Sequence, residues 1–249
     1  MLWSNESVSR TVGISDGRVR RPAHPWTATV HELLRHLRAS GVHEVPAPMA
    51  LTAEYEEVSF LAGAAGPSCW PFQATETGLR SAARLLRRIH DASLGWEPPV
   101  GAVWAVSPLQ PFEVICHGGP GPWNMVWREG EAAGLFDWDF CHPGPRQEDV
   151  AYALEYLAPF RSDEVPARWH GFGQSPDRAG RVKVFCDEYG IETAGMTDAV
   201  IAVQRRDVDR VRTLALAGIE PQLSWVNDGY LDELWARIAW SEDHRHLFE

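Results

Sequence analysis

The sequence has few cysteines, no long apolar run and no phosphate-binding glycine motif. Its cysteines lie far apart without a C-x-x-C pair, which argues against a zinc site and a disulfide framework; they are Cys69, Cys116, Cys141 and Cys186. No apolar stretch approaches a membrane span, and no basic region precedes an apolar run at the N-terminus. Neither G-x-x-x-x-G-K-S/T nor G-x-G-x-x-G occurs. We therefore expect a cytoplasmic protein with no membrane partner.

The composition is that of an acidic soluble protein. Of its 249 residues, 45% are hydrophobic and 23% charged, which is ordinary for a globular chain of one or two domains, and the formal net charge is -11. This charge argues against a nucleic-acid partner. A negative cleft concentrates cations, so the composition favours a cationic or neutral small-molecule ligand. The alternative is that the charge serves only solubility, and the oligomeric state stays open.

Three segments differ in pattern. Residues 1–62 predict a small β-rich N-terminal lobe, with a hairpin at Ser15-Asp16-Gly17 and a helix that begins at the capping box Thr29-Val30-His31-Glu32. Residues 63–76 are rich in Gly, Ala, Pro and Ser and predict a hinge or linker. Residues 77–249 predict a largely helical C-terminal lobe of catalytic type, with apolar periodicity near 77–93, 175–190, 197–217 and 228–241.

Two short stretches carry the chemical signal. Residues 116–124 read CHGGPGPWN, and residues 136–139 read FDWD. In the kinase pattern H-G-D-x-x-x-x-N, the aspartate accepts the proton of the substrate hydroxyl, the asparagine holds a magnesium ion, and a later aspartate also binds metal. Here His117, Gly118 and Asn124 fit the pattern, and Gly119 stands at the position of the catalytic aspartate.

On these residues, and on VICHGGPGPWNMVW and LFDWDFCHPGPRQEDVAY around them, the chain resembles the aminoglycoside phosphotransferase and choline kinase-like family. The resemblance covers nearly the whole chain and implies an α+β, bilobal, protein-kinase-like fold with a short N-terminal lobe. It implies that Asn124 and Asp137 hold magnesium for ATP. It also implies that His117 keeps the catalytic loop in shape and that Asp149 braces it. The alternative is that Asn124 and Asp137 are retained scaffold without metal.

The chain departs from the family pattern at the base and at the phosphate-covering loop. A positioned base contributes roughly 10²–10⁴-fold, and Gly119 has no side chain to act as one. The candidate replacement is Asp139, which lies two residues after Asp137 and so shares its face if the segment is extended. His117 is kept beside it as a catalytic residue. The segment that should cover the phosphates, residues 5–10, has no glycine.

A third departure concerns the strand that should carry a phosphate-binding lysine. It reads RVRRP over residues 18–22, so Arg20 or Arg21 is predicted to bind nucleotide and to pair with Glu32 on the following helix. Arginine differs from lysine in shape and is not a neutral replacement. The alternative is an exposed basic strand edge.

Tryptophan is abundant near the two motifs. Of the 12 tryptophans, Trp123, Trp127 and Trp138 flank them. With Gly119 they are predicted to wall a pocket for an apolar or cationic ligand, and the alternative is core packing.

Three functions follow from these residues, and whether the chain is an enzyme stays open. The leading hypothesis is a phosphotransferase-like protein with impaired or absent kinase activity, a pseudokinase that binds a small molecule in the cleft between the lobes. The second is an enzyme of natural-product biosynthesis that uses the same cleft for non-phosphoryl chemistry. The third is an active small-molecule phosphotransferase that depends on magnesium and ATP.

Overall fold

The computed structural model describes residues 12–249, apart from the side chain of Trp169. Thr11 and the segment 5–10, where the phosphate-covering loop is expected, lie outside the described residues. The described chain combines a small antiparallel sheet and one helix with a larger, mainly helical part.

The N-terminal lobe is a four-stranded antiparallel sheet with one helix. Its strands are β1 (Gly13–Ser15), β2 (Arg18–Pro22), β3 (Pro48–Leu51) and β4 (Tyr55–Ser59), in the order β1-β2-β4-β3. The predicted hairpin is present, because Asp16 and Gly17 both take the positive φ that a two-residue turn requires (50° and 70°). Pairing of β2 with β4 places Arg21 opposite Glu56.

Helix α1 (Thr27–Ala39) packs its apolar stripe, which includes Val30, Leu33 and Leu37, into the core. The predicted capping box is wrong because the helix begins two residues before Thr29. The oxygen of Thr27 accepts instead from the His24 amide at 2.8 Å.

The segment predicted as a hinge forms a 3₁₀ helix, Pro67–Ala74, in which Cys69 and Trp70 are buried. Helix α2 (Glu76–Ser93) follows directly, and the Thr75 hydroxyl caps it by accepting from the Gly78 amide at 3.0 Å. The segment therefore packs onto the C-terminal lobe, and it carries an indole to the site described below.

Two antiparallel sheets of two strands each position the two motifs. The strands are β5 (Val114–Cys116), β6 (Met125–Arg128), β7 (Glu131–Leu135) and β8 (His142–Gly144). β5 pairs with β8 and β6 with β7, both antiparallel. Residues 117–124 join β5 to β6, and residues 136–141 join β7 to β8. Because the strands pair in this way, the two connections lie side by side.

Six helices complete the C-terminal lobe. They are α3 (Arg146–Leu157), α4 (Glu164–Trp169), α5 (Arg178–Tyr189), α6 (Met196–Leu216), α7 (Gln222–Asn227) and α8 (Tyr230–Asp243). Helix α5 begins a few residues after the predicted start near residue 175, because the Asp177 carboxylate accepts from the Gly180 amide and caps the helix there. Helix α3 is buried from Asp149 to Leu157 and brings polar side chains to the centre of the lobe. Within residues 12–249, no helix is long and apolar enough to cross a membrane.

Candidate functional site

The loop from β5 to β6 contains two glycines with different requirements. Gly118 has a φ of +80°, and a Cβ there would lie 2.2 Å from the Phe140 carbonyl oxygen, so only glycine fits. Gly119 has no such φ, and its nearest neighbours to a Cβ are the Asn124 amide nitrogen at 3.7 Å and the Tyr152 hydroxyl at 4.0 Å. The backbone at Gly119 therefore accepts a side chain, and this position of the loop carries no carboxylate.

Asp149 holds the start of this loop. Its carboxylate accepts from the amides of His117 (2.5 Å) and Gly118 (2.9 Å) and is 3.1 Å from His90 Nε2. Burial alone would raise the pKa of Asp149, but the bond and charge of His90 and the amide of Gly118 lower it. The carboxylate is thus kept ionised beneath the loop, in the place where the sequence predicts a brace.

His117 and Asn124 connect the two motifs. His117 Nε2 lies 2.9 Å from the Phe136 carbonyl oxygen, and burial lowers the pKa of His117. A neutral His117 therefore donates to that carbonyl. The side chain of Asn124 donates to the Gly119 carbonyl at 2.9 Å, and its own backbone carbonyl accepts from the Phe136 amide at 2.9 Å. Both side chains thus shape the loop.

Arg21 is the centre of the charged part of the site. Its Nη1 is 2.9 Å from Asp137, its Nη2 is 3.2 Å from Asp139, and its Nε is 2.7 Å from Glu56. Glu56 in turn lies 2.7 Å from His31 Nε2 on α1. Burial opposes the charge of Arg21, yet the carboxylates of Asp139, Asp137 and Glu56 raise its pKa above the ordinary value. One guanidinium is therefore surrounded by three carboxylates.

The two aspartates meet Arg21 by a different geometry from the predicted one. The segment is not extended, because Asp137 has a left-handed backbone (φ 65°) and starts a 3₁₀ turn, Trp138–Phe140. The side chain of Asp137 is 41% exposed, whereas that of Asp139 is 3% exposed. Asp139 is bound to Arg21 and lies 3.4 Å from the Trp26 indole nitrogen. Asp139 is therefore placed as a buried ion-pair partner and not as a base facing the pocket.

The predicted partner of the strand arginines is wrong. Glu32 lies on the exposed side of α1 and pairs with Arg35. Arg20 points away from the motifs and lies over the Tyr55 ring at 3.5 Å. One residue of the charged site that the sequence does not predict is Glu56, which meets Arg21 because strand pairing places the two residues opposite each other.

A pocket of about 1150 Å³ opens beside Gly119 and extends between the helices of the C-terminal lobe. Trp123 lines it, as the sequence predicts. Trp127 and Trp138 are each 1% exposed and belong to the core, so their prediction as pocket walls is wrong. Trp138 instead donates to the Leu135 carbonyl at 3.0 Å and packs edge-on against His117.

Several pocket residues have no signal in the sequence. Trp70 reaches the pocket from the segment predicted as a hinge. Arg210 on α6 donates to the Gly118 carbonyl at 2.7 Å, pairs with Asp207, and lies 5.5 Å from the Tyr152 ring centre. An arginine on a distant helix thus supports the loop from the pocket side.

Comparison with known proteins identifies the family. Residues 100–182 match the model described as the phosphotransferase enzyme family. A Trifolitoxin immunity protein from Rhizobium leguminosarum bv. trifolii is 32% identical over 241 residues, which cover 92% of this chain and 87% of that protein. The chain belongs to the phosphotransferase enzyme family. The predicted family membership is thereby confirmed.

Solved structures confirm the predicted kinase-like α+β fold. A spectinomycin phosphotransferase in complex with ADP and spectinomycin has a TM-score of 0.58 at 12% identity, with 90% of this chain and 85% of that chain covered. A choline/ethanolamine kinase family protein from Mesorhizobium loti has a TM-score of 0.58 at 17% identity, with 97% and 90% covered. At these identities the likeness concerns the fold.

The charged site does not fit magnesium and ATP in the family's manner. Arg21 already supplies positive charge to Asp137 and Asp139. A metal ion at the same carboxylates would meet the guanidinium at short range, where each pair of unit charges costs about 4 kcal/mol at 4 Å and an effective dielectric constant of 20. The chain's only lysine, Lys183, pairs with Asp187 on α5, so no lysine is available for phosphate.

Proposed function

We propose that this chain is a family member that binds a small toxic molecule in the pocket beside Gly119 and protects its host by holding that molecule, without transferring phosphate to it. The observation that carries the proposal is the combination of a base position without a carboxylate and an aromatic pocket that opens directly from it. The similarity to an immunity protein supports a protective role.

The charge arrangement supports loss of phosphoryl transfer. Phosphoryl transfer depends on positioning and on metal ions that neutralise developing charge. Arg21 neutralises Asp137 and Asp139 inside the protein, and it is bound to Glu56 as well, so it is held away from a phosphate role. The fold of the family is retained, whereas the charged side chains that would act on a phosphate, Arg21, Asp137 and Asp139, form ion pairs with one another.

Binding without chemistry predicts a specific pattern in a protection assay. We would express the chain in a trifolitoxin-sensitive strain and compare three forms at matched protein levels: wild type, Asp137→Asn and Trp123→Ala. Wild type should protect. Asp137→Asn should still protect, although Asp137 also lines the pocket, because the amide keeps the size of the side chain and the proposed function uses no metal ligand. Trp123→Ala should lose protection because its indole lines the pocket, and Trp123→Phe should retain part of it.

The same cells separate the proposal from the two other hypotheses. Toxin recovered from the purified protein should have an unchanged mass. A gain of phosphate would establish the kinase hypothesis, and any other change of mass would establish a repurposed enzyme. Loss of protection in Asp137→Asn, or no protection by wild type, would count against the proposal.

A further inference from the structure

We propose that Arg161 and Arg237, which both line the pocket, form a subsite for a carboxylate of the bound molecule. The inference rests on the proposed function, because it assigns the ligand of the same pocket. It names the ligand class as an acid with an aromatic or apolar body, in contrast to the cationic or neutral ligand that the net charge of the chain favours.

Two arginines share one buried carboxylate in this part of the pocket. Glu155 on α3 is 0% exposed, and its Oε1 accepts from Arg161 Nη2 at 3.1 Å and from Arg237 Nη1 at 2.8 Å. Arginine keeps its charge in proteins, so two cations share one carboxylate. Tyr156, whose hydroxyl is 3.3 Å from Arg237 Nη1, remains neutral because burial raises its pKa. The cluster therefore has an excess positive charge.

This positive charge lies in the pocket, and part of its hydrogen-bonding capacity is unused. Both arginines line the pocket, and Arg161 Nε is buried without a hydrogen-bond partner. Burial and the charge of Arg237 lower the pKa of Arg161, and burial and both guanidiniums lower the pKa of His170 to about 3. A lowered pKa at both groups is the direction expected where the neighbouring positive charge is not fully neutralised. Buried guanidiniums usually bind planar carboxylates or phosphates.

The other lining carboxylates do not cancel this charge. Asp137 pairs with Arg21 and Asp207 pairs with Arg210, both at the loop end of the pocket. Glu220 accepts from the Ser224 amide at 3.2 Å. Glu233 on α8 also lines the pocket, but it is exposed to water, which screens its field.

A continuous aromatic wall runs between the arginines and Gly119. Arg161 lies 4.4 Å from the centre of the Tyr156 ring, Tyr156 lies 4.4 Å from Trp123, and Trp123 lies 6.3 Å from Trp70. Tyr156 also lies 5.6 Å from Tyr152, whose hydroxyl is 4.0 Å from the Cβ position of Gly119. An apolar body along this wall would place an acid at the guanidiniums.

The test compares two probes that differ only in charge, N-acetyl-tryptophan and N-acetyl-tryptophanamide. Binding to the full chain is measured by isothermal titration calorimetry. Hydrogen bonds to charged groups contribute about 1.5–3 kcal/mol, so the acid should bind roughly tenfold or more tightly than the amide. Arg161→Gln should remove this preference. Glu155→Gln should increase it, because both guanidiniums then lack their carboxylate.

Arg84→Gln serves as the matched control, because Arg84 is exposed, pairs with Glu188, and does not line the pocket. It should leave the preference unchanged. Equal binding of acid and amide by wild type, no binding of either probe, or a weaker acid preference in a folded Glu155→Gln variant would overturn the acid subsite. None of these results bears on the protection assay, so the two proposals fail separately.

Discussion

Replacement of Arg21 by alanine should destabilise the protein strongly, because it removes a guanidinium that contacts three carboxylates. The side chain of Arg21 is 14% exposed and contacts Glu56, Asp137 and Asp139. Removal of one partner of a buried ion pair costs about 3–5 kcal/mol, since the other charges stay in a poorly solvated place. Each kcal/mol lowers Tm by about 2–4 °C in a chain of this size, so we expect a decrease of roughly 6–20 °C.

Arg18→Ala is the control on the same strand. Arg18 pairs with Glu57 at 3.3 Å, and its side chain is 52% exposed. Exposed ion pairs contribute about 0–1 kcal/mol, so the Tm of this variant should fall by less than about 4 °C. Differential scanning fluorimetry in the presence of a chelator measures both variants against wild type.

The Arg21→Ala variant should also acquire a response to magnesium. Without the guanidinium, the carboxylates of Asp137 and Asp139, which both contact Arg21 Nη1 (2.9 and 3.2 Å), offer two of the oxygen ligands that Mg²⁺ prefers. A ligand that binds only the folded state raises Tm with its concentration. Millimolar Mg²⁺ should therefore raise the Tm of Arg21→Ala and leave wild type unchanged. The reasoning is refuted if wild type gains as much from Mg²⁺ as the variant, or if Arg18→Ala and Arg21→Ala lose stability equally.

Three further predictions concern the loop and the pocket. In urea denaturation, Gly118→Ala should lower the free energy of unfolding by at least about 1–3 kcal/mol, because the residue has a positive φ. Gly119→Ala should raise the free energy of unfolding by up to about 1 kcal/mol, and equal effects of the two substitutions would contradict the loop geometry. Asp149→Asn should lower the free energy of unfolding by about 3–5 kcal/mol and expose the His117 and Gly118 amides to hydrogen exchange. Unchanged exchange would contradict the role of Asp149 in holding the loop. The pKa of His170 is 6.5 in the unfolded chain and about 3 in the folded chain, so between these values the unfolded chain binds the extra proton. The free energy of unfolding should therefore decrease as the pH is lowered from about 6.5 to about 3, by at most about 1.4 kcal/mol per pH unit. His170→Phe should flatten this slope, and an unaltered slope would assign it to another group.

The fold was predictable because it depends on two motifs in a fixed order and on strong helical periodicity. The CHGGPGPWN and FDWD stretches follow strands whose pairing brings them together, and the structure places Asn124, Asp137 and Asp149 around one loop. Helix boundaries differ from the predictions by a few residues, where a neighbouring side chain such as Asp177 provides the cap.

The charge partners and pocket walls were less predictable, because they depend on contacts between distant segments. Glu56 meets Arg21 only through strand register, whereas Glu32, on the next helix, faces water. Trp127 and Trp138 lie close in sequence to the pocket residue Trp123, yet Trp127 on β6 and Trp138 in the 3₁₀ turn after Asp137 are both buried in the core. No local pattern distinguishes such side chains.

The most direct test of the account is transfer of labelled terminal phosphate from ATP. Purified wild-type protein, in excess over ATP and with Mg²⁺, would be incubated with hydroxylated acceptors and a host extract. The account predicts label in acceptors at the level of a protein-free control, both for wild type and for Asp137→Asn. Transfer that grows with wild-type concentration and disappears in Asp137→Asn would contradict it.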